Sequence, residues 1–511
     1  MGFSQNKGIS RGRDNGTYSW RWRMIRLLAL VGALTMLALV ATPATPAGAD
    51  HDGGRHPGRG TRTGWGDDRG WGNGFQRWTP GNGLSLQLVA SMIGAERADR
   101  RGADGRGIDV ALIDTGVAPV PGMDRPGQII NGPDLSLDFQ VGLPAGVDTF
   151  GHGTHMASII NGPDGIAPGA RIVNVKAGSA DGGVDVSQMI AAIDWVVQHR
   201  DDDGMNIRVI SLSGGTDGVQ PYQLDPLSHS VESAWHHGIV VVVAAGNSGG
   251  ALVDPAVNPY VLTVGAADTG NPFLPADDIV APFSSVGTAE RGVDLVAPGV
   301  SILGLRVPGS RIDLDNTQAL ADPARFKGSG TSQAAAVTSG VVAQLLSARP
   351  DLTPDQVKAL LRAGARDINR SPDSAQGAGM IQLRNVWRRP APRVVQSFPR
   401  STGMGTIEGA RGTHHLEAAD GTVLNGEIDL LGAPWNPAVW APLASAGEAW
   451  DGGTWNGSVW AGGEWLPAGD PGSPLLGRSW RSELWLGRSW RADQWLSHTW
   501  HGHSWRNGAW V

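Results

Sequence analysis

The chain has 511 residues, 75 of them Gly, 21 Trp and none Cys, which is length enough for two or three domains of roughly 100 to 200 residues and excludes disulfides, thiolate metal sites and a cysteine nucleophile. A formal net charge of −7 lacks the basic surplus that a nucleic-acid surface needs, so no nucleic-acid partner is expected. Glycine at roughly twice its usual ~7% share, with only 17% charged residues, implies loop-like or repetitive stretches beside a globular body.

Residues 1–49 read as a secretory signal peptide. Arg21, Arg23 and Arg26 precede the apolar run from Leu27 to Ala41, and Ala47-Gly48-Ala49 supplies small residues for cleavage after Ala49. The run is shorter than the roughly 20 apolar residues of a spanning helix, so the expectation is a secreted or cell-envelope-associated protein. Residues 50–84 are expected to be a Gly-rich disordered arm, with eleven Gly between Asp50 and Gly83 and no apolar periodicity.

From Ser85 the pattern changes, with Leu86, Val89, Met92 and Ile93 at helical spacing. The β-branched runs Ile108 to Ile113, Ile172 to Val175, Ile207 to Leu212, Ile239 to Ala244 and Val261 to Val264 are predicted strands. Val186, Met189, Ile190, Ile193 and Val197 form one helical face between them, and Leu227, Val231, Ala234 and Trp235 another. Strands apolar on both faces and separated by helices predict an α/β domain over 85–370, a parallel sheet with helices on both faces. Ligand and catalytic groups then belong at the carboxyl ends of the strands. Residues 371–433 have the Pro- and Gly-rich composition of a linker, and 434–511 form a Trp-rich repetitive tail.

Polar residues follow several of these runs. Asp114-Thr115-Gly116 places a carboxylate where the first strand ends, as a turn former or as a catalytic group. In Gly151-His152-Gly153-Thr154-His155 the two His stand at i and i+3, a spacing that suits a metal pair but has no third ligand nearby. One His acting as general base and a plain packing role are the competing readings. Ser332, in Gly328-Ser329-Gly330-Thr331-Ser332, opens a helix, where it either caps the helix or uses its positive end. Ser213-Gly214-Gly215 ends a strand with small side chains, which lets an extended peptide pair with the backbone. Asn247, after Ala244-Ala245-Gly246, is either a turn residue or a donor for a developing oxyanion.

Together, Asp114, His152, Asn247 and Ser332, in the contexts Asp-Thr-Gly, His-Gly-Thr-His, Ala-Ala-Gly-Asn and Gly-Thr-Ser, resemble the subtilisin-like serine peptidases, the subtilases of peptidase family S8. The resemblance runs from about Ser85 to Ala365, and Val293 to Gly299 also matches the family's pattern. Pro168 to Gly215 is similar to the secreted bacterial AprX-type branch. The resemblance implies Ser332 as nucleophile, His152 as general base and acid, Asp114 as the group that holds the imidazole, and Asn247 with the Ser332 N–H as oxyanion donors. His155 corresponds to a second, non-catalytic His. Ser213, Gly214 and Gly215 correspond to the strand that receives the substrate, and with Ala244, Ala245 and Gly246 they imply a roomy apolar specificity pocket.

The family usually carries Met-Ala-x-Pro-His after the nucleophile, where this chain has Gln333, Ala334, Ala335, Ala336 and Val337. That removes no catalytic atom but changes a wall near the leaving group. Calcium is common in the family, yet no oxygen-ligand cluster of specific spacing is visible, so no metal or cofactor is assigned. The expected activity is a secreted serine endopeptidase acting on protein or peptide substrates. The rival reading is a catalytically weak subtilase scaffold acting as a cell-envelope or substrate-binding protein, and ester hydrolysis would share the same site.

In the tail, Trp recurs every five residues from 435 to 510, interrupted at Ser445, Asp470 and Leu475. Five matches neither the helical period of 3.6 nor the strand period of 2. The sequence supports three roles: stacking on cell-wall sugars through exposed rings, a self-packed stalk, or no selected function. Exposed aromatic area favours the first.

Overall fold

The computed structural model describes residues 83–460, apart from 137, 139–141, 369 and 419–420, together with the backbone of 465–466 and 480–481. The expected signal peptide, the expected cleavage after Ala49 and all but the last two residues of the expected arm lie outside the described residues.

The body is built on one sheet. Its strands are β1 (Asp109–Asp114), β2 (Ile129–Asp134), β3 (Arg171–Lys176), β4 (Ile207–Leu212), β5 (Val240–Ala244), β6 (Leu262–Asp268), β7 (Ile279–Val280) and β8 (Leu295–Pro298). They are ordered β2-β3-β1-β4-β5-β6-β7, with β8 also paired to β6. Every pairing is parallel except that of β6 with β7. The chain leaves β1 toward β3 on one side and returns to β4 on the other, so the carboxyl end of β1 lies where the strand order reverses, the usual location of a site in such a sheet. β1 and β5 are buried at every residue, as their unbroken apolar composition requires.

Five strands fall where the apolar runs predict them. β2 carries Gly132 and Pro133, poor strand formers, yet it forms an edge strand, where proline's missing N–H costs little.

The principal helices are α1 (Leu86–Ile93), α2 (His152–Asn161), α3 (Val186–Gln198), α4 (Pro226–His236), α5 (Thr331–Ala348) and α6 (Pro354–Gly364). α2 packs beside α5, which runs against β4, β5 and β6, whereas α3 and α4 form a separate pair. Asp185 starts α3 with a reciprocal capping box, accepting from the Ser187 N–H while Gln188 accepts from the Asp185 N–H. The antiparallel pair β9 (Ile302–Leu305) and β10 (Arg325–Gly328) leads into α5.

Residues 371–433 do not behave as a linker. Leu383, Val386, Ile407, Ala410, Leu416, Leu424 and Leu430 are buried in the same core as the sheet. Arg411, at the end of α7 (Ile407–Arg411), is buried against Asp185 at 2.7 Å. These apolar residues are isolated rather than periodic, so composition alone gives no sign that each has a place on the body.

The first part of the Trp ladder also lies on the body. Trp435, Trp440, Trp450 and Trp455 are buried, which overturns the reading that these rings are exposed for stacking on cell-wall polymer. α8 (Pro437–Ala446) packs on α4, and the indole N–H groups of Trp440 and Trp455 both donate to Asp194 Oδ2 of α3, at 2.8 and 2.9 Å. The Trp450 indole donates to Ala191 O at 3.0 Å. The extension thereby covers the side of α3 that the sheet does not, and nearly every residue of that helix is buried.

Part of the ladder's period belongs to paired strands. β11 (Glu417–Ala418) pairs with β16 (Trp480–Arg481), and β12 (Trp450–Asp451), β13 (Thr454–Trp455), β14 (Ser458–Trp460) and β15 (Trp465–Leu466) form an antiparallel meander. Across a two-residue turn the closing pair is three positions apart and the next pair five, so Trp450 faces Trp455 across Gly452-Gly453. Both glycines have positive φ, as do Asn456 and Gly457 at the next turn, the geometry that suits twisted hairpins. Trp460 is likewise the cross-strand partner of Trp465. The tryptophans of the ladder from Trp485 to Trp510 lie outside the described residues.

Candidate active site

Asp114 is the last residue of β1 and His152 the first of α2. The ring nitrogen Nδ1 of His152 lies 2.9 and 3.0 Å from the two Asp114 oxygens, with both side chains buried. A carboxylate can only accept, so Nδ1 carries a proton, and in the neutral ring the lone pair is then on Nε2.

The approach of α2 to β1 needs glycine at 153, since a β-carbon there would sit 2.2 Å from Gly116 O. The Thr115 hydroxyl accepts from the Gly153 N–H at 2.9 Å and donates to Asp148 Oδ1 at 2.9 Å. Asp148 in turn accepts from the N–H groups of Phe150, Gly151 and Thr154 and from the Thr154 hydroxyl. Burial pushes the Asp148 carboxyl up, against the Gly151 and Thr154 donors that favour its charge. Behind it Lys176, fully buried and opposite Asp114 in register, donates to Thr115 O and Gly178 O at 2.7 and 2.9 Å and pairs with Asp138 at 3.0 Å.

The sequence reading missed Asp148, Thr115 and Lys176 as supports of the site. The signal available was a carboxylate four positions before His152 and a lysine directly after the predicted strand Ile172 to Val175.

His155 goes to a different neighbour. Its ring lies against β9, where a β-carbon on Gly304 would be 2.7 Å from it. Burial, and then the nearby His152, push its pKa down to about 3. The two His therefore do not converge as a metal pair. β9 also brings the starts of α2 and α5 together, for its residue Ile302 pairs with Gly328 and Gly330 donates to Gly299 O at 2.9 Å.

Ser332 is the second residue of α5, and the cap position belongs to Gly330, so Ser332 is no helix cap. Its Oγ is buried and has no hydrogen-bond partner among the described residues. The N–H of Ser332 belongs to the unsatisfied first turn of the helix, where backbone donors favour negative charge. Asn247 stands beside it: its Oδ1 accepts from the Thr331 N–H at 2.8 Å and the Thr331 hydroxyl at 2.9 Å. With the oxygen so engaged, the Nδ2 group is turned to the other side as a donor.

Gln333, next to Ser332, is completely buried, and neither end of its amide has a hydrogen-bond partner among the described residues. A β-carbon on Gly330 would lie 2.8 Å from Gln333 Oε1 and 3.4 Å from Asn247 Nδ2, so both amides border one glycine.

Ser213, Gly214 and Gly215 continue β4 beyond its last strand residue, Leu212. Ala244 ends β5, and Ala245 and Gly246 lead to Asn247. Val253 is wedged between these two segments. A β-carbon on Gly215 would lie 2.7 Å from one Val253 methyl, and one on Gly246 would lie 2.8 Å from the other. The expected roomy pocket is therefore partly filled by a β-branched side chain distant in sequence. Among the described residues no group of three or more His, Asp or Glu is arranged to hold a metal ion, and no helix is long and apolar enough to cross a membrane.

Residues 105–379 match the model of the subtilase family, Peptidase_S8. The chain is 37% identical over 298 residues to serine protease AprX of Bacillus subtilis (strain 168), covering 55% of this chain and 66% of that protein. It is 30% identical over 311 residues to subtilisin Savinase of Lederbergia lenta, covering 60% of this chain and 99% of that protein. A solved cold-adapted subtilisin-like serine proteinase aligns with 55% of this chain and 88% of its own, at 30% identity and a TM-score of 0.42. With more than half of its length matched by the family model, the chain belongs to the subtilase family of serine-type endopeptidases.

Proposed function

We propose that the protein is an exported endopeptidase that hydrolyses peptide bonds through an acyl-enzyme on Ser332. The observation that carries this reading is the buried Asp114–His152 pair, which leaves the far nitrogen of the imidazole as a base. Ser332 Oγ attacks the scissile carbonyl carbon while His152 Nε2 takes its proton. The same proton then passes to the leaving amine as the C–N bond breaks. Water, deprotonated by His152, attacks the ester carbonyl and releases Ser332 with its proton restored. Oxyanion charge in both steps falls between Asn247 Nδ2 and the Ser332 N–H, donors already oriented by Thr331 and by the start of α5.

The substrate chain pairs with Ser213–Gly215, and its side chain before the cleaved bond enters between that segment and Ala244–Gly246. With Val253 between the two segments, the preference is for an apolar side chain of moderate size, and Val253→Gly shifts it toward larger aromatic ones. Export rests on the leader pattern of residues 1–49 and is read separately, from the N-terminus of the secreted product.

Fluorophosphonate labelling of the parental chain, lost in Ser332→Ala, together with mass-spectrometric readout of a peptide library, tests activity and preference at once. A folded chain that neither labels nor cleaves any unfolded substrate rejects the reading in favour of a binding scaffold.

A further inference from the structure

Residues 406–414 lie beyond the segment matched by the family model, yet they hold the loop that continues the substrate segment. Thr216 follows Gly215 directly, and its hydroxyl donates to Ala410 O at 2.5 Å. Asp217 Oδ1 accepts from the Thr413 N–H at 2.8 Å and faces His414 Nδ1 at 2.9 Å, and its Oδ2 accepts from the Thr413 hydroxyl at 2.6 Å. The Val219 N–H donates to Gly409 O at 3.1 Å. Gln220 closes the set with a reciprocal pair, Nε2 donating to Thr406 O at 2.8 Å and Oε1 accepting from the Thr406 N–H at 3.1 Å.

The loop has a second wall. Thr216 and Asp254 exchange both backbone hydrogen bonds at 2.9 Å, one residue past Val253. The stretch 216–220 is therefore gripped between the Val253 side of the specificity pocket and the extension, and the extension is itself anchored by the buried Arg411–Asp185 pair. Pairing a peptide with an unsupported segment would require that segment to be ordered at the moment of binding, a cost that lowers affinity.

Resting on the peptidase reading above, we propose that residues 406–414 are a positioning element for the substrate. By fixing Thr216–Gln220 they hold the backbone of Ser213–Gly215 in the extended form that pairs with the acyl side of a peptide. They act on the binding of extended substrates and not on the chemistry at Ser332.

The test uses the full chain with Thr413→Val, His414→Phe and the double variant, and Thr413→Ser as the version that keeps the hydroxyl. KM and kcat are measured for peptides with one and with four residues before the cleaved bond, alongside the rate of fluorophosphonate labelling. The expected result is a KM rise of about tenfold for the four-residue peptide in the double variant, with the one-residue peptide, kcat and labelling changed by no more than about twofold. Thr413→Ser stays near the parental values.

A loss equal for both peptide lengths, or an unchanged KM, overturns the proposal. Hydrogen exchange of the parental chain gives an arm independent of any variant. Slow, concerted exchange of the Thr216, Val219 and Thr413 amides supports it, and free-loop exchange across 216–220 overturns it. A parental chain that neither labels nor cleaves rejects the peptidase reading, whereas a cleaving parent with length-independent variants rejects the positioning role alone.

Discussion

Arg411 and Asp185 form an ion pair with both side chains excluded from solvent, and Asp185 is at the same time the cap of α3. The guanidinium also donates to Gly426 O at 2.7 Å and to Ile428 O, so one arginine joins the extension to itself and to the body. Removing one partner of such a pair leaves an uncompensated buried charge, which costs about 3–5 kcal/mol. Arg411→Met is expected to lower stability by that amount in urea unfolding of a Ser332→Ala background, where autolysis does not interfere. Adding Asp185→Asn recovers part of the loss, because the amide removes the stranded charge and still caps the helix.

Asn247→Leu is expected to lower kcat by about 10²–10³ while KM stays near parental, since the lost donor meets charge only in the transition state. Thr331→Val, which removes one of the two donors that hold the Asn247 oxygen, gives a smaller loss of the same kind. Steady-state kinetics on one peptide separate the two.

The buried amide of Gln333, without hydrogen-bond partners among the described residues, is a cost to the fold. Unpaired buried polar groups cost about 1–3 kcal/mol each. Gln333→Leu is expected to raise the unfolding temperature while lowering kcat, because the amide borders the same glycine as the Asn247 donor. Differential scanning calorimetry in the Ser332→Ala background and kinetics in the active chain read the two effects.

Burial pushes Asp194 from its ordinary 3.8 up to about 7, against the two indole donors that favour its charged form. Asp429, whose oxygen accepts from Asn456 at 2.8 Å, is raised to about 6, again chiefly by burial. In each case the folded chain holds a proton that the unfolded chain has lost, so the contribution of these two groups to stability is greatest at low pH and is lost as pH rises from about 4 to about 7. Asp194→Asn is expected to flatten that fall and to raise the melting temperature at pH 8. Melting temperatures of both chains from pH 4 to 8 check the sign.

Much of the site is legible in the sequence because its residues follow apolar runs that can only be buried strands or helices. Asp114 ends β1, Asn247 follows β5 and Ser332 opens α5, and each stands out as polar where the pattern is apolar. The alternatives at His152 and His155 are separated only by their neighbours, one facing Asp114 and the other β9. Val253 acts through contacts between segments distant in sequence, and no local pattern carries that information; Asp148 and Lys176 leave only a faint local trace, a carboxylate shortly before His152 and a lysine after a predicted strand. The extension is misread for a related reason. Its isolated apolar residues and Arg411 have meaning only against α3 and α4, and part of its tryptophan spacing is that of a hairpin, which no single helix or strand period reveals.

That hairpin arithmetic constrains how the ribbon between Trp450 and Trp460 can change in length. One residue inserted before Trp455 would send the following indoles to the opposite side, pulling Trp455 off Asp194 while the backbone still folded. Only gains or losses that preserve the cross-strand count keep each ring facing its mate, so this part of the molecule can grow or shrink in whole steps and not by single residues.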